Sequence, residues 1–285
     1  MNPLLACPRF DLEATLESGQ FFRWTRDGDA FDILRGLRLF RARQRGATLE
    51  VQGADRWFVR EFFSLDHDLA VVEKGLRRDR SLWPALDACA GVRLLRQDPW
   101  ECTAAFILST ASNIPRIART VEAIARTAGR PVTLGSSAGQ AFPRPAAMPG
   151  ETALRKLGAG FRAPYLERAA RLAAGGLLEE IAELDTDAAR DTLQVMPGVG
   201  VKVADCILLF AYGRLDVFPI DTWIRKVMIR LFFRGRRVPD RAIRAFAQER
   251  WGDLAGYAQQ YLYHWSRSGG LAFPRRPRVV AGNRE

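Results

Sequence analysis

The period of hydrophobicity changes once along the chain, near residue 56. Before that point, QFFRW, AFDILRG, LRLFRARQ and ATLEVQG, within residues 20–52, alternate apolar with polar side chains. Turn signals separate them, DGD at 27–29 and Gly46. Period two with such punctuation predicts a small antiparallel sheet built from hairpins. After Arg56 the pattern becomes helical, first over 68–75 and 81–90, with Pro84 near a helix start. From Pro99 onward nearly everything has a 3.6 period. The predicted helices are 99–110, 114–128, 151–157, 163–173, 176–183, 186–195, 201–212, 222–234, 239–249 and 253–267. Residues 130–150, rich in Gly, Pro, Ser and Ala, read as a connecting loop. The fold class is therefore α+β, a small N-terminal sheet followed by a large all-helical body. The expected division is 1–95 for the sheet and its flanking helices, 96–270 for the helical domain, and 271–285 for a basic tail carrying PRRPR.

Composition narrows the partners. A hydrophobic fraction of 48% supports a real core, yet no apolar run approaches the roughly 18 residues of a membrane span. The N-terminus turns acidic with no basic segment ahead of an apolar stretch, so no signal peptide is read. No membrane partner is expected, and the expected location is the cytoplasm or nucleoid. Cysteines 7, 89, 102 and 206 show no CxxC spacing, and the histidines are His67 and His264. That argues against a disulfide scaffold or a multi-histidine metal centre. The formal net charge is +11. Arginine dominates, with lysine only at 74, 156, 202 and 226, but the excess positive charge still points to a polyanion such as nucleic acid.

Residues 193–233 carry the chemistry. Helix, PGVG, then helix is the order. Pro197 ends the first helix, while Gly198 and Gly200 allow a tight turn and a close approach to a ligand. The second helix then offers free N–H groups and a positive dipole end, to which phosphate is the natural ligand. A plain packing corner between two helices explains the same glycines. The second helix is apolar around most of its girth, so it should be buried. Lys202, Asp205 and Cys206 interrupt it as one polar stripe, since i, i+3 and i+4 share a face. Lys202 lies in the first turn, where its charge opposes the dipole. Such a lysine suits a Schiff-base nucleophile, although a lysine snorkelling to solvent to bind phosphate fits as well.

Asp221 bears on that choice. Helix 201–212 advances about 18 Å at 1.5 Å per residue. After a turn at Tyr212–Gly213, the extended run LDVFPI returns roughly 20 Å at about 3.3 Å per residue. Asp221 then comes level with Lys202, at the N-cap position of the helix that stops at Gly235.

PGVGVKVADC followed by FPID resembles the helix-hairpin-helix DNA glycosylases. GVRLLRQDPWEC at 91–102, LRKLGAGFRAPYL at 154–166, LAGYAQQYLYHW at 254–265 and SGQFFRW at 18–24 resemble, in order, the 8-oxoguanine DNA glycosylase family within them. The likeness runs over about 91–265 and is thinner before. It implies a helix-hairpin-helix glycosylase body and a bifunctional DNA glycosylase/AP lyase of base-excision repair. Lys202 would attack the sugar C1′ and hold it as a Schiff base, and Asp221 would stabilise the cationic transition state. Gly19 would offer its carbonyl to the N7 proton of 8-oxoguanine. Cys206 and Tyr263 would sandwich the extruded base, and Gln259 would read its Watson–Crick edge. Arg162 would read the orphaned cytosine, and Phe161 would wedge into the stack. Gly198, Val199 and Gly200 would grip the DNA backbone. The partner is double-stranded DNA containing an oxidised purine, and a monomer is expected. No cofactor is implied beyond a monovalent or divalent cation at the hairpin–phosphate contact.

Two departures stand out. The family's Asn-rich run reads STASNIPRI here, with Ala111 where an Asn contacts the cytosine; Ser112 or Asn113 is left to substitute. Trp223 stands where animal members carry histidine. The alternatives are a monofunctional alkylated-base glycosylase, which lacks the lysine, and a non-catalytic helix-hairpin-helix DNA-binding module. Relatives with a C-terminal four-cysteine iron–sulfur cluster are disfavoured, since no cysteine follows Cys206.

Overall fold

The computed structural model describes residues 3–271. The expected basic tail lies outside the described residues, apart from Leu271. Five antiparallel strands form the N-terminal sheet: β1 (Leu4–Ala6), β2 (Trp24–Asp27), β3 (Ala30–Arg35), β4 (Arg38–Arg45) and β5 (Thr48–Gln52), in the order β1-β5-β4-β3-β2. Cross-strand pairs Ile33↔Phe40 and Ala42↔Val51 put alternate apolar residues on one buried face, as period two requires. Helix α1 (Leu12–Glu17), capped by Asp11, precedes β2, and α2 (Arg56–Phe62) lays Phe62 against that face, edge-on to Phe40.

One predicted strand is mostly absent. Of QFFRW only Trp24 enters β2. Gln20 takes over the backbone pairing: its Oε1 accepts from Leu95 N at 2.7 Å and its Nε2 donates to Arg93 O at 2.8 Å. Gln97 in turn donates to Gln20 O at 2.6 Å. These bonds tie the SGQ segment to the start of the helical body rather than to the sheet. The expected loop at 130–150 contains a hairpin, β6 (Pro131–Leu134) and β7 (Ser137–Gln140), turned at Gly135 with φ +58°.

The helices follow: α3 (Leu69–Leu76), α4 (Trp83–Ala88), α5 (Pro99–Ser109), α6 (Ile114–Ala128), α7 (Glu151–Leu154), α8 (Ala163–Ala174), α9 (Leu177–Glu183), α10 (Thr186–Leu193), α11 (Val201–Phe210), α12 (Thr222–Leu231), α13 (Asp240–Trp251) and α14 (Ala255–Trp265). Helix α7 ends in a wide turn over 155–159, because Gly158 takes φ +99°. Two apolar cores form. The sheet and α2 build one, which also holds Leu95. The other includes Leu69, Val72, Leu86 and Leu94 with the later helices. By packing, α3 and α4 therefore join the helical body, whereas the sequence-based division at 95/96 put them with the sheet.

Candidate active site

Helices α10 and α11 form the hairpin. Gly198 takes φ +85°, and a Cβ there would sit 3.0 Å from Tyr165 Cβ, so only glycine fits. Gly200 is extended, has open space where a side chain would be, and leaves the N-terminus of α11 without a side-chain cap. Both line a cleft. Val199 behaves otherwise. Its N–H goes to Met196 O at 3.1 Å and its side chain is buried in the core. It is a plug behind the turn rather than a phosphate donor, which corrects the expectation for that residue.

Helix α11 is buried from Val203 to Phe210, while Lys202 is half-buried. The predicted polar stripe divides. Asp205 turns away from Lys202 to Arg190 Nε at 2.6 Å and Arg244 Nε at 3.4 Å. Burial raises its pKa and the two guanidiniums oppose that. Asp205 thus fastens α11 between α10 and α13. Lys202 and Cys206, one turn apart, stay on the pocket side. The Lys202 amine donates to Ser109 Oγ at 3.1 Å and stands 5.3 Å from the centre of the Phe106 ring, both on α5.

Asp221 arrives as the chain length predicts. It caps α12, with Oδ1 accepting from Ile224 N at 2.7 Å, and it lines the pocket that holds Lys202. Among the described residues no ion pair joins the two; the amine donates to Ser109 and also lies in hydrogen-bond reach of the Cys206 thiol.

The same pocket collects Gly19, Cys206, Gln259 and Tyr263. Gly19 has φ +83°, and a Cβ there would strike Arg267 Nη1 at 2.5 Å and Ile114 Cδ1 at 2.7 Å. Burial pushes the Cys206 thiol up to about 11 and the Tyr263 phenol up to about 12. Both are neutral at physiological pH, as suits surfaces for a flat ring. Gln259 is buried, and its Oε1 has no partner. An unpaired buried amide oxygen costs about 1–3 kcal/mol, so its presence marks a place for a donor from outside the protein.

Residues 4–103 match the family model for the N-terminal domain of 8-oxoguanine DNA glycosylase. The chain is 32% identical to a probable N-glycosylase/DNA lyase of Methanothermobacter thermautotrophicus, over 92% of this chain and 95% of that protein. It belongs to the 8-oxoguanine DNA glycosylase family. The solved Clostridium acetobutylicum 8-oxoguanine glycosylase/lyase, in complex with double-stranded DNA, superposes with a TM-score of 0.89 at 30% identity, covering 95% of this chain and 99% of that one. A 3-methyladenine DNA glycosylase from Archaeoglobus fulgidus shares the fold, with a TM-score of 0.81 at 20% identity over 95% of this chain and all of that one. Fold alone therefore does not separate the two chemistries, and the pocket residues must.

In this 8-oxoguanine glycosylase family member a cleft of about 710 Å³ opens outward from the pocket. Three expected orphan-base residues sit along or beside it. Phe161 is 52% exposed, the state a wedge needs. Arg162 is buried; its Nε donates to Thr110 O at 2.6 Å, and its Nη2 to Ala111 O at 2.9 Å and again to Thr110 O. In the free protein it clamps the 110–111 backbone rather than facing open space. Asn113 caps α6 through Oδ1, which accepts from Arg116 N at 3.0 Å. In the free protein its side-chain oxygen is thus engaged by the helix cap. Sequence reasoning passed over Ser109, Phe106, Arg116 and Arg267. Burial, and after it the nearby charge of the exposed Arg116, lower the pKa of Arg162, and Arg116 Nη2 is 3.8 Å from where a Gly160 Cβ would be. The PRI triplet after Asn113 was the available signal.

Proposed function

We propose that this chain excises 8-oxoguanine from double-stranded DNA and then cleaves the strand, with Lys202 as nucleophile. A base stacked in a duplex is out of reach, so the nucleotide is extruded into the pocket. Lys202 Nζ, deprotonated for attack, bonds to C1′ as the glycosidic bond breaks, and the base leaves with the bonding pair and takes up a proton. The amine loses a proton, the sugar ring opens, and a Schiff base remains. Loss of a C2′ proton then expels the 3′ phosphate. Asp221, held by its capping bond, stabilises the positive charge on the sugar.

Cys206 and Tyr263 bracket the base, Gln259 pairs with its edge, and Gly19 meets its N7 proton. Phe161 fills the vacancy while Arg162 and Asn113 lie near the orphaned base. The hairpin at Gly198 and Gly200 holds the backbone without reading sequence. The scheme uses no cofactor, and leaves room for a monovalent or divalent cation where the hairpin meets phosphate. The chain works as a monomer, in the cytoplasm or nucleoid where DNA is found.

The observation that supports this reading is convergence. Lys202, Asp221, Gly19, Cys206, Gln259 and Tyr263 come from separate segments and line one pocket. A binding module has no need of that set, and an alkylated-base glycosylase has no need of the lysine. The test is borohydride trapping on a duplex with 8-oxoguanine opposite cytosine. The wild type should form a covalent adduct and Lys202→Gln should not. Base release without an adduct would refute the nucleophile, and binding without release would leave a DNA-binding module.

A further inference from the structure

Arg267 has no part in the scheme above, yet it occupies a defined place. Its guanidinium carbon is 5.3 Å from the centre of the Tyr263 ring. Its Nη1 lies 2.5 Å from where a Cβ of Gly19 would be. The absence of a side chain at 19 thus admits the guanidinium as well as a base. Gly19 and Tyr263 line both the inner pocket and the outer cleft, whereas Arg267 lines the outer cleft alone. The guanidinium therefore stands at the mouth. It is exposed, and among the described residues no carboxylate pairs with it. Arg225, also on the cleft wall, differs, because Asp240 holds it at 2.6 Å. The contact with Tyr263, which includes a hydrogen bond to its hydroxyl, holds the guanidinium in place, and an arginine, with several N–H donors, keeps others for an anion.

An extruded nucleotide threads this mouth, with its base inside the pocket and its phosphates outside. Resting on the proposed excision reaction, we infer that Arg267 binds a DNA phosphate flanking the extruded nucleotide, and that Tyr263 serves both the base and this arginine. Arg267 is not among the residues that line the inner pocket, so its place is on the strand rather than on the base. Its contribution is to substrate binding and to holding the strand while Lys202 reacts.

The test is equilibrium binding to a duplex carrying a single tetrahydrofuran abasic analogue, across a salt series. Each phosphate neutralised adds about 0.9 to the slope of log K against log salt. Arg267→Ala should weaken binding about 5- to 10-fold at low salt and lower the slope by about 0.9. Arg267→Lys should keep the slope. An unchanged slope in Arg267→Ala overturns the inference, including where its melting temperature falls, since that marks a packing role only. Failure of the wild type to bind the abasic duplex overturns the excision reading as well. A wild type that traps 8-oxoguanine DNA beside an Arg267→Ala variant with an unaltered slope overturns this inference alone.

Discussion

The Lys202 amine and the Ser109 hydroxyl are 3.1 Å apart, and that hydroxyl itself donates to Phe106 O at 2.6 Å. Its one proton is therefore committed, and it presents a lone pair to the lysine. The bond aims the amine from α5, a helix whose central residues are all buried. Ser109→Ala removes the aim and leaves the nucleophile. A lost hydrogen bond to a charged or reacting group is worth about 1.5–3 kcal/mol, or roughly 10- to 100-fold in rate. Single-turnover excision should slow within that range at an unchanged KM, while borohydride still traps the enzyme. An unchanged rate would show that the amine finds its position without Ser109.

Gln259 predicts a trade between stability and activity. Its Oε1 is buried without a partner, so replacing the amide by an apolar side chain of similar size removes a desolvation cost. Gln259→Leu should melt no lower than the wild type. Excision of 8-oxoguanine should nonetheless fall in kcat/KM by at least about 100-fold, the scale on which a polar pocket loses discrimination when a pairing is removed. Thermal melting and single-turnover kinetics on one preparation check both halves. A variant that loses several degrees would reveal a structural bond at Gln259 and weaken its assignment to the base.

Cys206 lies in the pocket but should not behave as a reactive thiol. Burial raises its pKa to about 11, against the smaller opposing pull of Lys202. The sign follows directly: below about 11 the neutral thiol is the stable form, and the thiolate grows tenfold per pH unit up to that value. Alkylation by iodoacetamide at neutral pH should therefore be slow and should leave excision intact, and its rate should climb through pH 9 and 10. Rapid inactivation at pH 7, prevented by abasic DNA, would show a thiolate there.

The sequence disclosed different parts of this site with different clarity. Periodicity separated sheet from helices, because burial on one face is a local pattern. The placement of Asp221 beside Lys202 followed from rise per residue alone. The direction of Asp205 did not, since it lies only about 60° round the helix from Lys202, and what turns it away, Arg190 and Arg244, lies on other helices. Gln20 hid the end of a strand, because a side-chain amide can substitute for a backbone partner without leaving a trace in the pattern. Arg162 and Asn113 were placed near the orphan base by resemblance. That their polar atoms already serve the backbone is a tertiary fact. Arg267 closes the last predicted helix, 253–267, and is one arginine among many until the fold sets it beside Gly19.

Ala111 supplies the last prediction. It takes φ +48°, a left-handed conformation that costs an alanine about 1–2 kcal/mol. Such strain persists where neighbours fix the backbone, and here the neighbour is Arg162, whose guanidinium grips the carbonyls of Thr110 and Ala111. Asparagine tolerates this conformation better than alanine, without the unfolded-state entropy of glycine. Ala111→Asn should therefore raise stability by about 0.5–1 kcal/mol, near 2 °C in melting temperature for a chain of this size. It also puts a donor and an acceptor at the position where the resemblance implies a contact with the orphaned base. The ratio of excision opposite cytosine to excision opposite adenine should rise with it, by about 10-fold for one added hydrogen bond of about 1.4 kcal/mol. Arg162→Ala should do the reverse, releasing the 110–111 turn and lowering the melting temperature. Melting curves and opposite-base rates on the two variants test the pair. If Ala111→Asn melts lower than the wild type, the turn is not strained at Ala111 and Arg162 is not what holds it.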